Sequence, residues 1–136
     1  MPAHWLLKTE PSTYSFDRLL KEGSAVWDGV RNNLALTYLR QMKAGDRVLI
    51  YHSGAEKAVV GQARIGRAAY PDPAHDDPKL VVVDVVPDAR LPKALTLAAI
   101  KADPALAELP LVRMSRLSVM PVTAEQWKRL LALAAG

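Results

Sequence analysis

Five extended runs, at residues 4–9, 47–52, 58–65, 80–86 and 117–122, are rich in Val, Ile and Leu and bounded by Gly, Pro or Asp, the pattern of β-strands. The helical patterns between them are few and short and do not alternate strictly with the strands. This argues against a doubly wound parallel sheet, which places a helix after each strand. It predicts an α+β fold: a mixed, curled β-barrel of five to six strands with short helices packed outside.

The helix signals are local. Ser15 caps a segment carrying Phe16, Leu19 and Leu20, with a stop at Gly23. Asn32 or Asn33 caps a second helix, whose Ala35, Tyr38, Leu39 and Met42 share one face and which Gly45 ends. A third, over 96–102, is broken by Asp103-Pro104. Thr123 and Gln126 form a capping box ahead of the stripe Trp127, Leu130, Leu131 and Ala134. Residues 71–78 read as a polar loop joining two strands of one core. With 136 residues, 50 % of them hydrophobic, the chain is expected to form a single domain over 1–136.

The net charge of +4 is unevenly distributed: −1 over residues 1–30, +5 over 31–67, −3 over 68–110 and +3 over 111–136. Two basic blocks that converged on one face would suit an anionic partner. There are no cysteines, which removes disulfide frameworks, thiolate metal sites and thiol chemistry. His75, Asp76 and Asp77 lack metal-ligand spacing, and no phosphate-binding glycine motif occurs, so neither a metal nor a cofactor is expected. Residues 1–9 show no leader pattern and no apolar run reaches the ~20 residues of a membrane span. A cytosolic protein without a membrane partner, monomeric by default, is the expectation.

Three clusters carry residues that a core does not require. Trp27, Asp28, Arg31 and Asn32 stand together before the second helix: an indole offers a face to a nucleobase, the acid and amide suit polar edges, and the arginine suits phosphate. Tyr51, His52 and Ser53 end an apolar strand, where strands of a barrel reach its mouth. Arg113 and Arg116 bracket Ser115 ahead of the last strand and suit phosphate contacts. Lys8 and Glu10 close the first strand, and a carboxylate accepts from the exocyclic amine of cytosine or adenine. Each has a plainer structural reading: a buried tryptophan before a capped turn, a satisfied strand histidine, solvated arginines and an exposed acid before Pro11. His52 and Ser53 do not form a catalytic pair, because neighbours in a strand point to opposite faces.

Six ordered segments nevertheless resemble one family: WLLKTEPSTYSFDRL (5–19), VWDGVRNN (26–33), VLIYHSG (48–54), VVGQARI (59–65), AYPDP (69–73) and MSRLSVMPVT (114–123). They resemble EVE domains, of the PUA-like superfamily and related to the YTH domains that read methylated adenine in RNA. The resemblance implies a PUA-like curled barrel and a non-catalytic domain that reads a modified base, above all a modified cytosine in DNA, with RNA as the other polymer. It implies that Trp27 stacks on the captured base, that Lys8 meets a phosphate and that Glu10 touches the base edge. Asp28, Asn32 and Tyr51–Ser53 resemble the rest of the pocket wall, and Arg31, Arg113 and Arg116 are backbone candidates. Asp28 stands where YTH domains carry a serine or threonine, so specificity for methylated adenine does not carry over. Two rival readings use the same pocket: a small-molecule enzyme with His52, Asp28 or Glu10 as acid and base, and a sensor of free nucleobases.

Overall fold

The computed structural model describes residues 3–135, so residues 1, 2 and 136 of the expected domain, the first two also part of the segment read for a leader, lie outside the described residues. The expected strands appear as β1 (His4–Thr9), β3 (Arg47–His52), β4 (Ala58–Pro71), β5 (Val81–Thr96) and β6 (Val119–Val122), joined by the three-residue β2 (Ala25–Trp27). They form one sheet of order β2-β5-β4-β3-β1-β6, in which β1 runs parallel to β3 and the other neighbours are antiparallel.

The sheet is open, which corrects the curled barrel expected from the sequence. Closure would require the outer strands to hydrogen-bond to each other. Instead β2 is paired with β5 alone and β6 with β1 alone. The helix α2 (Asn33–Gln41) packs against β4, β5 and β6, so side-chain packing from a helix, and not a strand ladder, links these elements. Apolar patterning reports which faces are buried. It carries no information on whether the first and last strands of a sheet meet.

β1 and β3 lie at the centre of the packing. Trp5, Leu6 and Leu7 are consecutive and all buried, as are Val48 to His52, so both faces of these strands are covered and the runs are apolar up to the terminal His52. The helices α1 (Phe16–Glu22) and α5 (Ala124–Ala135) pack on β5, and α3 (Leu97–Lys101) and α4 (Pro110–Arg113) fill the connection to β6. The buried Asp46 carboxylate accepts from Trp5 Nε1 at 2.9 Å, from the Lys43 amide at 2.9 Å and from the Ala3 amide at 3.0 Å, which ties the start of β1 to the turn before β3.

Two local features fix α1 over the sheet. Ser15 Oγ accepts from the Arg18 amide at 3.1 Å, the expected cap, and the helix stops at Gly23 as expected. Phe16, fully buried, lies so close to β4 that a Cβ at Gly61 would stand 2.3 Å from its ring, so only glycine fits beneath it. The second helix is capped by Asn32 but ends at Gln41, short of Gly45, whose amide donates instead to Ile65 O at 2.8 Å in the turn leading to β3.

Candidate functional site

At the C-terminal end of β1 the chain turns sharply. Glu10 O accepts from the amides of Thr13 and Tyr14, both at 2.9 Å, and Thr9 Oγ1 donates to Tyr14 O at 2.7 Å. This turn, the end of β2 and the segment 28–31 that leads to α2 surround a cavity of about 500 Å³, closed on one side by Ser118 ahead of β6. Its volume lies within the usual range for small-molecule sites.

The aromatic part of the wall is a right-angled corner. Trp27 and Tyr14 meet edge to face, with ring centroids 6.1 Å apart and planes at 86°. Trp27 is 8 % exposed, its ring packed into the core on one side and bordering the cavity on the other. Tyr14 Oη donates to Glu22 Oε1 at 2.7 Å, and Arg18, whose guanidinium stands 5.1 Å from the tyrosine ring centroid, holds the other carboxylate oxygen of Glu22 at 3.1 Å. Burial, then the Glu22 acceptor, pushes the Tyr14 hydroxyl up to about 12, so it stays protonated and donating at any physiological pH.

The charged part of the wall is differentiated. Lys8 Nζ donates to Ser115 O at 2.8 Å and lies 5.7 Å from the Tyr51 ring centroid, and burial lowers its pKa from the ordinary lysine value. Glu10 is pre-committed: Oε1 accepts from the amide and hydroxyl of Ser12, and Oε2 lies 2.2 Å from where a Cβ on Gly54 would stand. Gly54 has φ +78°, so it is the backbone that favours glycine opposite this carboxylate, whose exposed side chain could swing away from a Cβ. Asp28, exposed on the cavity wall, has no hydrogen bond or ion pair among the described residues. Arg31 donates from Nη2 to His75 Nε2 at 3.3 Å, which leaves the proton of a neutral His75 on Nδ1, 3.0 Å from Asp72 Oδ2. Asp72 is buried, and its pKa is lowered first by the Ala74 amide and then by His75. The polar loop between β4 and β5 thus reaches back to hold Arg31 at the cavity.

The structure therefore brings Lys8, Glu10, Trp27, Asp28 and Arg31 to one cavity. Asn32, Tyr51, His52 and Ser53, expected on the same wall, do not line it. Asn32 Oδ1 caps α2 by accepting from the Ala35 amide at 3.0 Å, Tyr51 is buried under Lys8, and Ser53 contributes its amide to Thr9 O at 2.9 Å. His52 is buried, its Nε2 accepting the amide proton of Phe16 at 3.0 Å and its Nδ1 bonding Glu56 Oε1 at 2.7 Å. With its lone pair engaged by the first residue of α1, it is not placed to serve as the base of the rival enzyme reading. Arg113 pairs with Glu108 at 3.1 Å, and Arg116 lies on a neighbouring, smaller cavity. Tyr14, Thr9, Thr13, Val26 and Ser118 also line the cavity and were not among the site residues expected from the sequence. Tyr14 had a usable signal, an aromatic immediately before a helix cap, where apolar residues fix the entry of the chain.

The EVE domain family model matches residues 3–133. The chain belongs to the EVE domain family. Thymocyte nuclear protein 1 of Danio rerio is 31 % identical over 166 residues, covering 96 % of this chain and 71 % of that protein. Among solved structures, Rpa0253 from Rhodopseudomonas palustris is 46 % identical with a TM-score of 0.93, covering 97 % of this EVE domain and 92 % of that chain. The human THYN1 protein, solved in complex with DNA containing 5-methylcytosine, is 29 % identical with a TM-score of 0.91 and covers 98 % of each chain. The curated vertebrate relatives all carry the name of a nuclear protein, which overturns the expectation of a cytosolic one.

Proposed function

We propose that this EVE domain binds nucleic acid and reads a modified base, a modified cytosine in DNA before other candidates, in the cavity beside Tyr14 and Trp27. The observation that carries the reading is the perpendicular aromatic corner within a cavity whose cations, Lys8 and Arg31, have no carboxylate partner among the described residues. A planar base laid against one ring turns its own edge to the face of the other, so offset stacking and an edge-to-face contact are satisfied together. Similarity to the human protein solved with methylated DNA supports the same ligand class.

The roles divide by availability. Asp28 has both oxygens open and accepts from the exocyclic amine of cytosine. Glu10, already held by Ser12, shapes the wall and sets the depth to which a base enters. Lys8 and Arg31, together with Arg116, contact phosphates. Extracting a base from a duplex costs a few kcal/mol, which favours single strands or weakened pairs. A methyl group adds about 0.8 kcal/mol, roughly a fourfold preference, so discrimination is modest unless a polar modification finds a buried partner.

The test is equilibrium binding of matched oligonucleotides, carrying cytosine or 5-methylcytosine as DNA and as RNA, to the wild type, Trp27→Phe and Asp28→Asn at two or more salt concentrations. The wild type is expected to prefer the methylated DNA strand about fourfold. Binding should fall with salt at a log–log slope of about −2, the value for three phosphate contacts to a single strand. Asp28→Asn, exposed and folding normally, keeps one acceptor oxygen but loses the charge and the second, and should bind cytosine-containing strands more weakly. Salt-independent binding of free nucleosides with no gain from the polymer would instead assign a nucleobase sensor.

A further inference from the structure

A second cavity, of about 330 Å³, adjoins the first and is lined by Asn32, Leu34, Met114, Ser115, Arg116 and Leu117. The two share their boundary. Lys8, on the first, donates to Ser115 O on the second, and the consecutive residues Arg31 and Asn32 divide between them. Large exposed hydrophobics are concentrated along this line: of Leu20, Val26, Leu34 and Met114, Val26 borders the first cavity while Leu34 and Met114, 37 % and 44 % exposed, border the second.

The charge of the second cavity is one-sided. Arg116 has no ion pair or hydrogen bond among the described residues, in contrast to Arg113, which Glu108 neutralises, and the lining includes no acidic side chain. An apolar floor with a lone guanidinium beside it matches a nucleotide: a base plane lies on apolar and thioether groups, and its phosphate meets the arginine. The geometry points to a second subsite that takes the base adjoining the one being read in the same strand, with Met114 and Leu34 against its plane and Arg116 on the intervening phosphate. This rests on the base-reading function above and extends it from a single base to a dinucleotide step. Recognition would then depend on the identity of a neighbour as well as on the modification.

Fluorescence anisotropy with single-stranded DNA carrying one 5-methylcytosine, compared with the same strand abasic on its 5′ or 3′ side, tests the assignment. In the wild type, one of the two abasic strands should bind about five- to tenfold more weakly than the intact strand, the lower part of the range for a lost stacked base. Met114→Ala should bind the intact strand more weakly by a similar factor and ignore the abasic substitution. Arg116→Ala should weaken all strands alike and reduce the salt slope by about 0.7. Both side chains are exposed, so the fold is retained, and the ratio of methylated to unmethylated affinity should be unchanged in both variants. A wild type indifferent to both abasic strands, or a Met114→Ala that keeps the full wild-type response, overturns the subsite. Loss of methyl preference with the abasic response intact would instead remove the base-reading proposal and leave the second subsite standing.

Discussion

Tyr14 and Trp27 take their relative orientation from different elements, and that is where single residues matter most. The tyrosine is held by the Glu22 and Arg18 pair on α1, and the tryptophan by the pairing of β2 with Val83 on β5. His52 acts one step behind, because it receives the Phe16 amide at the start of the same helix. Replacing His52 by Ala leaves that buried amide unsatisfied and should lower stability by about 1–3 kcal/mol in urea unfolding, with the ratio of methylated to unmethylated affinity unchanged. A variant of wild-type stability that had lost this ratio would place His52 in recognition instead. Much of the candidate site was legible because Lys8 and Glu10, and Trp27 to Arg31, lie in two short segments whose composition no core demands. The role of His52 was not, since its partner amide is 36 positions away and no local pattern reports it. Tyr14 was absorbed into the helix cap that follows it.

At the scale of elements, the β4–β5 hairpin carries the site's frame, pairing with β2 on one side and β3 on the other. Phe16 seats α1 on this hairpin at Gly61, where no side chain can be accommodated without displacing the ring. Gly61→Ala should therefore cost about 1–3 kcal/mol of stability by overpacking, measured as a lowered denaturation midpoint. A neutral substitution there would mean that α1 does not hold its position through Phe16. The strand cores and capped helices were readable from apolar period and cap residues. The outer parts of β4 and β5 were not. Beyond Ile65 and Val86 the residues are mostly polar or small, and Pro87 argues against a strand. The hairpin continues because its backbones pair with each other, and Pro87 sits where the register shifts between Gln62 and Ala63, so the irregularity accommodates a residue without an amide proton. β2, with three residues, is too short to show a period.

Across the whole molecule, the two ends of β1 differ in character. Its start is a closed structural end, where His4 stacks near Trp127 at 4.7 Å and Trp5 is bound to Asp46. Its other end opens onto the cavity that Lys8 and Arg31 line, with Arg116 on the adjoining smaller one; the three come from different charge blocks of the sequence and have no carboxylate partner among the described residues. The uneven charge was visible in the sequence, whereas the convergence of those blocks depends on strand order. Barrel closure failed as an expectation for the same reason, since strand order and edge pairing are global properties. The three tryptophans report on both ends. Titrating the protein with single-stranded DNA containing 5-methylcytosine, while following the three indole N–H resonances by NMR, tests whether the base lies against Trp27. The Trp27 signal should move with saturating dose dependence while those of Trp5 and Trp127 stay in place. A stationary Trp27, or shifts centred on Trp127, would contradict that placement and move nucleic-acid binding to another face of the sheet.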